Sequence, residues 1–234
     1  MLKRVQNIRK RQPQVGVKKI HRMLKAQDIN FGRDRLFDIL RENRLLSRQK
    51  KRYAKTTYSR HRFRKYKNLI RDIEPTGPNQ IYVSDITYID TLEGFCYLAL
   101  VTDKYSRKIV GWDLSNSLSI DGARRALKMA ISEAKDTEGL IHHSDRGIQY
   151  CSHKYVEDLE NRKIKISMTE ENHCYENAIA ERVNGILKTE FMLGERLNSH
   201  AIARNMVSEA VEIYNEERLH MNIDYQTPSQ KHAA

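Results

Sequence analysis

Two aspartates lie where an aspartate is costly unless it has a partner. Asp85 lies within the otherwise apolar run 81–90, where this residue is depleted and expensive to bury alone. Asp145 follows the apolar approach 140–144, as expected of a buried strand that delivers a carboxylate to a sheet edge. If the two strands are adjacent, the carboxylates repel each other unless a cation lies between them. Oxygen ligands of this kind suit Mg²⁺ or Mn²⁺. The alternative for Asp85 is a structural carboxylate that accepts hydrogen bonds from a neighbouring loop.

A third carboxylate is expected from the predicted helix 177–192. At the helical period, four polar side chains of this segment fall on one side: Asn177, Glu181, Asn184 and Lys188. Glu181 is the favoured third ligand, because Glu190 falls on the opposite side of the helix. The alternative is that this polar side is simply a solvated helix face.

The elements that position these carboxylates form an α/β layer pattern. Three β-rich runs with short turns predict an antiparallel meander over residues 81–90, 95–102 and 108–114. The helix 121–135 then crosses over to a fourth strand at 140–144, which should pair parallel to the first strand. A helix at 153–161 and a fifth strand at 163–168 complete the pattern.

The first 70 residues form a basic arm. They hold 23 Lys and Arg against four acids, whereas the rest of the chain holds 19 basic and 26 acidic residues. Segments 13–27 and 33–43 have helical apolar spacing and predict a helix-turn-helix-like unit, with its basic side chains on the polar faces: Lys18, Lys19, Arg22 and Lys25. DNA is the favoured partner. The alternatives are a merely soluble basic tail and an ordinary small helical bundle.

The stretch 47–67 interleaves cations with aromatic rings, and almost nothing in it can form a core. We expect DNA phosphates to be contacted by Lys51, Arg52, Arg62 and Arg64. The alternative is a linker whose aromatic rings dock on the next domain. Prolines and a glycine at 74–79 mark a boundary. The predicted division is a helix-turn-helix-like segment at 1–46, a basic aromatic linker at 47–78 and a catalytic core with a C-terminal helix and tail at 79–234.

The cysteines and the hydropathy exclude other classes of protein. Three cysteines without CxxC spacing argue against a disulfide framework and favour a reducing cytoplasm. The Cys/His pairs at 151/153 and 173/174 fit zinc knuckles poorly. We find no secretory signal and no apolar run near the roughly 20 residues of a membrane span.

The motifs together resemble a known family. Thirty-five residues separate Asp145 from Glu181, and Lys188 follows seven positions later. This spacing is similar to the Asp, Asp, Glu signature of transposases related to retroviral integrases. The stretches 82–89, 106–112, 143–150, 174–178, 187–190 and 214–228 resemble the second-frame (OrfB-like) product of insertion sequences of the IS3 family.

The resemblance implies an RNase H-like core with a five-stranded mixed sheet flanked by helices. It also implies metal-dependent DNA strand cleavage and transfer, with two Mg²⁺ or Mn²⁺ ions held by Asp85, Asp145 and Glu181. Lys188 would contact a phosphate near the cut, and His143 and Asn177 would support the carboxylates, although a purely structural His143 is an alternative. The implied partners are element ends, target DNA, further copies of the chain and a first-frame protein or fusion, at the bacterial nucleoid.

Two other functions fit the same residues. A catalytically inactive transposase remnant would bind DNA as a regulator without cutting it. An RNase H-like nuclease would act on RNA–DNA hybrids, which the basic arm and Lys188 disfavour. The chain departs from the usual family pattern at Glu176, at Arg182 and Val183, and at Leu219, none of which changes the choice of Glu181.

Overall fold

A computed structural model describes residues 1–47, 62–134, 136–170 and 177–234. Within these ranges the strands are β1 (Ile81–Thr91), β2 (Gly94–Asp103), β3 (Ile109–Ser115), β4 (Ile141–Ser144) and β5 (Lys165–Met168). The helices are α1 (Leu2–Arg11), α2 (Val17–Lys25), α3 (Arg33–Glu42), α4 (Ile120–Glu133), α5 (Ile148–Cys151), α6 (His153–Glu160), α7 (Ala178–Glu190), α8 (His200–Glu216) and α9 (Pro228–Ala233).

The strands form one mixed sheet in the order β3-β2-β1-β4-β5. The pairs β1/β2 and β2/β3 are antiparallel, which confirms the predicted meander. The pairs β1/β4 and β4/β5 are parallel, as expected after helical crossovers. The predicted RNase H-like fold class, a five-stranded mixed sheet flanked by helices and preceded by N-terminal helices, is therefore confirmed. Strand β1 lies at the centre of the sheet.

Helices cover both faces of the sheet, which explains why β2 is apolar along nearly its whole length. Leu98 and Leu100 point to the face covered by α7 and α8. Ala99 and Val101 point to the face covered by α4 and α6. Each face therefore has its own hydrophobic core, and α7 is pressed against the strand that carries Asp85.

The three N-terminal helices enclose a small core of their own, formed by Val5, Val15, Ile20, Leu24, Leu36 and Leu40. Helices α2 and α3 confirm the two predicted helical segments, although both are shorter than predicted. α2 begins only after Gly16, the residue at its N-cap. Helix α1 was not predicted. We call residues 1–46 the head.

One residue of α2 departs from the predicted pattern. The expectation that Lys19 lies on the polar face of the helix is wrong, because this side chain is buried. Its ammonium group pairs with Glu190 of α7 rather than facing solvent.

Candidate active site

Asp85 and Asp145 meet at the same edge of neighbouring strands. Ser84 of β1 pairs in register with Ser144 of β4, so the next residue of each strand is one of the two aspartates. The pKa of Asp85 is raised to about 7, first by burial, then by the negative charge of Asp145, with a smaller contribution from Glu181. The predicted adjacency of the two strands is therefore confirmed, and the two carboxylates repel each other.

Both oxygens of Asp85 accept hydrogen bonds. Asn184 Nδ2 donates to Asp85 Oδ2 at 2.8 Å, and the backbone N–H of Ile86 donates to Asp85 Oδ1 at 2.9 Å. These two bonds lower the pKa of Asp85 and so oppose the effects of burial and of Asp145. The carboxylate is thereby held in one orientation at the centre of the sheet.

Asp145 is oriented by the turn that follows it. The backbone N–H of Gly147 donates to Asp145 Oδ1 at 2.9 Å. A Cβ atom at position 147 would lie only 2.9 Å from the same oxygen. A larger residue at position 147 would therefore force the Asp145 carboxylate to shift.

Glu181 lies in the first turn of α7 and is exposed. Its pKa is raised by partial burial and then by the charge of Asp145. Among the described residues, no three His, Cys, Asp or Glu side chains are gathered tightly enough to enclose an ion. The chemistry of the donors nevertheless fits a hard divalent cation, since all three are carboxylates and each lies near enough to another to raise its pKa.

Three of the four residues on the polar side of α7 contact β1, whereas the fourth, Glu181, is exposed. Asn177 Nδ2 donates to the backbone oxygen of Ser84 at 3.0 Å, one residue before Asp85. Lys188 Nζ lies 4.0 Å from the centre of the Tyr88 ring. Burial lowers the pKa of Lys188, whereas the charge of Asp85 raises it. The four predicted polar residues of this helix therefore share one face, and Asn184 has a role that the sequence did not assign.

The two histidines before Asp145 lie inside the fold. His143 is fully buried, and its Nδ1 shares a hydrogen bond with Ser167 Oγ of β5 at 2.8 Å. His142 Nε2 lies 2.8 Å from Ser84 Oγ and 2.9 Å from the hydroxyl of Tyr155. His142 therefore supports the strand of Asp85 from behind, and the His143–Ser167 bond joins β4 to β5.

The described part of the linker lies against the core. Phe63 and Tyr66 pack on the core cluster beneath α4 and α6, as the docking alternative for the aromatic rings predicts. Arg62 and Arg64 are exposed, and the Arg64 guanidinium lies 4.9 Å from the Tyr66 ring centre. The two other predicted DNA contacts of the linker, Lys51 and Arg52, lie outside the described residues.

The sheet order, the two aspartates on neighbouring strands and the glutamate on the following helix define an integrase-type α/β fold. The chain matches the family "Integrase core domain" over residues 75–174, and a second family of the same description over residues 162–228. The chain resembles the HTLV-2 integrase catalytic core domain in complex with magnesium, with a TM-score of 0.54 and 20% identity over 68% of this chain and 99% of that one. A simian T-cell lymphotropic virus intasome gives a TM-score of 0.59 and 18% identity over 92% of this chain and 70% of that one.

Closer relatives identify the family. The chain is 36% identical to "Insertion element IS600 uncharacterized 31 kDa protein" of Shigella sonnei, over 97% of this chain and 84% of that protein. It is 35% identical to "Transposase InsF for insertion sequence IS3A" of Escherichia coli, over 88% of this chain and 72% of that protein. The chain belongs to the IS3 family of transposases, with an InsF- or OrfB-like integrase core. None of its described helices has the length and apolar character needed to cross a membrane.

Proposed function

We propose that this chain is a DDE-type polynucleotidyl transferase that cuts the DNA strands of an insertion sequence and joins them to target DNA. The observation that carries the proposal is the convergence of Asp85, Asp145 and Glu181, since Asp145 and Glu181 both raise the pKa of Asp85. Carboxylates that repel one another in this way need a cation between them. The HTLV-2 integrase catalytic core domain is in complex with magnesium, which is a cation that suits carboxylate ligands.

The carboxylate oxygens of Asp85, Asp145 and Glu181 would hold two Mg²⁺ or Mn²⁺ ions. Such ions, when bound, activate water or a 3′-hydroxyl for attack and stabilise the leaving oxygen. Asn184 and the Ile86 N–H would keep Asp85 oriented, and the Gly147 N–H would do the same for Asp145. No covalent protein–DNA intermediate is required, because each attacking oxygen displaces one ester oxygen.

Cationic side chains would hold the DNA beside this site. We assign phosphate contacts to Lys188 next to the carboxylates and to Arg62 and Arg64 on the linker, together with Lys51 and Arg52. Asn177 would hold the start of α7 against β1, and His143 would support β4. We also propose the division into a head (1–46), a linker (47–78) and a catalytic core (79–234), each of the first two supplying a basic surface to the core.

The same comparisons support a proposal for the partners of this chain. The name "intasome" of a structural neighbour describes an assembly, and we infer that copies of this chain assemble on paired element ends at the bacterial nucleoid. We further infer that a first-frame protein, or a segment fused to this chain, contributes to recognition of those ends.

The test uses the full chain and a labelled duplex that carries the terminal repeats flanking its gene. With Mg²⁺ or Mn²⁺ we expect nicked strands that end in a 3′-hydroxyl, followed by strands joined to a second duplex, and no product with EDTA. Tight binding without any cut would favour the DNA-binding regulator instead. Preferential cutting of an RNA–DNA hybrid would favour the hybrid nuclease.

A further inference from the structure

One lysine of the head is buried against the catalytic core. Lys18, Arg22 and Lys25 of α2 are exposed, whereas Lys19 is only 8% exposed. Lys19 Nζ lies 3.2 and 3.1 Å from the two carboxylate oxygens of Glu190, the last residue of α7. Lysine is almost never buried unless it is paired. The exception on this helix therefore marks a specific contact between the head and the core.

Glu190 also has a partner within the core that does not depend on the head. The Arg218 guanidinium donates two hydrogen bonds to the Glu190 carboxylate, at 2.9 and 2.8 Å, and Arg218 is only 3% exposed. Burial and then the charge of Arg218 lower the pKa of Lys19, Glu190 raises it, and the net value is about 8. Glu190 thus keeps the lysine charged at neutral pH, and Lys19 can be removed without leaving Arg218 unpaired.

The backbone makes a second contact at the same place. The N–H of Gln14, in the turn before α2, donates to the backbone oxygen of Glu190 at 3.1 Å. The last carbonyl groups of a helix have no partner within the helix. The head therefore satisfies the C-terminal end of α7 through both a backbone bond and an ion pair.

The helix that receives the head also carries Glu181. Glu190 lies nine positions after Glu181, which is about 14 Å along a helix axis. Lys18, Arg22 and Lys25 recur at helical spacing along α2, and all three are exposed. The head, with its exposed cations, is thus connected to the carboxylate site through the single helix α7.

We propose that Glu190 is a positioning residue that sets where the DNA is cut. By holding Lys19, it keeps the phosphates bound by the exposed cations of α2 at a fixed distance from the phosphodiester at Asp85, Asp145 and Glu181. The inference rests on the proposed strand transfer. The core alone would then cut DNA at loosely defined positions, and the docked head would restrict cleavage to one.

The experiment compares the wild-type full chain with the Lys19→Met variant. This substitution removes the ammonium group that pairs with Glu190 and leaves the other cations of the head in place. The matched control is Glu217→Gln, because Glu217 also joins the head to the core, through Arg11, but both of these side chains are exposed. Exposed pairs contribute little to stability. Lys19→Arg keeps the charge and serves as the rescue variant.

Two measurements are made on each protein. In hydrogen exchange without DNA, the Gln14 amide should exchange at least about tenfold faster in Lys19→Met, as expected when a charged hydrogen bond is lost. On the terminal-repeat duplex, the wild type should cut one phosphodiester. Lys19→Met should cut several neighbouring ones at a similar total rate, and the control and rescue variants should behave as the wild type.

Unchanged Gln14 exchange and an unchanged cut position in Lys19→Met would overturn the positioning role while leaving strand transfer intact. Failure of the proposed function looks different, because no variant, including the wild type, would then cut the duplex. A change in exchange with an unchanged cut position would also overturn the inference, since docking would then not set the site of cleavage.

Discussion

Asn184 Nδ2 donates to Asp85 Oδ2 at 2.8 Å, and this bond joins the middle of α7 to the middle of β1. Asn184 is only 5% exposed, so the bond is protected from water. It lowers the pKa of Asp85, against the effects of burial and of Asp145. The helix that carries Glu181 therefore also sets the orientation and charge of the central carboxylate.

The first prediction concerns this bond. Asn184→Ala should slow metal-dependent DNA cleavage about ten- to a hundredfold, the usual cost of losing a residue that orients a metal ligand. DNA affinity should stay the same, because Asn184 carries no charge. Thr189→Ala is the matched control, since Thr189 is an exposed residue of the same helix that bonds only the backbone of Gly185 in the described structure. Equal cleavage rates for Asn184→Ala and the control would remove Asn184 from the site.

Lys188 is predicted to contact a DNA phosphate. Its ammonium lies over Tyr88, close enough to Asp85 for the carboxylate to raise its pKa. Lys188→Met should weaken DNA binding and should reduce the slope of log affinity against log salt by about 0.9, as for one lost phosphate contact. Lys188→Arg should keep the wild-type slope. Binding titrations at several salt concentrations measure this, and an unchanged slope for Lys188→Met would contradict the assignment.

Alanine substitutions at two glycines should change the free energy of unfolding in opposite directions. A Cβ atom at Gly111 of β3 would lie 2.1 Å from the backbone oxygen of Ala126 in α4, so the strand and the helix would have to separate. Gly111→Ala should lower the free energy of unfolding by about 3 kcal/mol or more. Gly185→Ala meets nothing within 4 Å in an exposed helix interior, and should raise the same free energy by about 1 kcal/mol. Denaturant unfolding distinguishes these outcomes, and a stable Gly111→Ala protein would contradict the packing of α4 on β3.

His220 should make the fold sensitive to acid. Its ring packs against Tyr214 with 4.9 Å between centroids. Its pKa is lowered to about 2, first by burial and then by four nearby cations: Arg218, Lys19, Arg107 and Arg182. The unfolded chain, with an ordinary histidine pKa near 6.5, then binds one more proton below that pH. Stability is therefore full above about pH 6.5 and falls on acidification by up to about 1.4 kcal/mol per pH unit.

The matching variant is His220→Phe, which keeps a ring against Tyr214 and removes the titrating group. Unfolding curves between pH 7 and pH 4 should show a shallower loss of stability in this variant than in the wild type. His142, whose pKa burial lowers to about 3, keeps its own share of the slope in both proteins. If the two proteins lose stability equally with falling pH, the pKa of His220 does not differ between the folded and unfolded states.

Local pattern was enough to predict the sheet and to place Asp85 and Asp145 on neighbouring strands. The apolar run around Asp85, the approach to Asp145 and the crossover helix between them determine a parallel β1/β4 pair, which the structure contains. The polar side of α7 could be predicted because a helical period needs no knowledge of its neighbours. Helix α1 has the same kind of pattern, with Leu2, Val5 and Ile8 at helical spacing. It was not predicted, because these three apolar residues lie among many basic ones.

Contacts distant in sequence could not be predicted in the same way. Lys19 was expected on a polar face because its partner, Glu190, lies 171 residues away in the chain. Asn184 was placed on the correct face, but its partner on β1 is 99 residues distant. A helical period states which side chains share a face. It does not state which face meets another element.

The most direct test of the central claim compares Asp85→Asn, Asp145→Asn and Glu181→Gln with the wild type for Mg²⁺- and Mn²⁺-dependent cleavage and joining of the terminal-repeat duplex. The matched control is Asp90→Asn, since Asp90 lies on the same strand as Asp85 but is half-exposed beside Arg196. Each of the three substitutions should reduce cleavage and joining to background while DNA binding survives, and the control should remain active. Strand transfer retained by any one of the three would contradict the assignment of that carboxylate to the catalytic site.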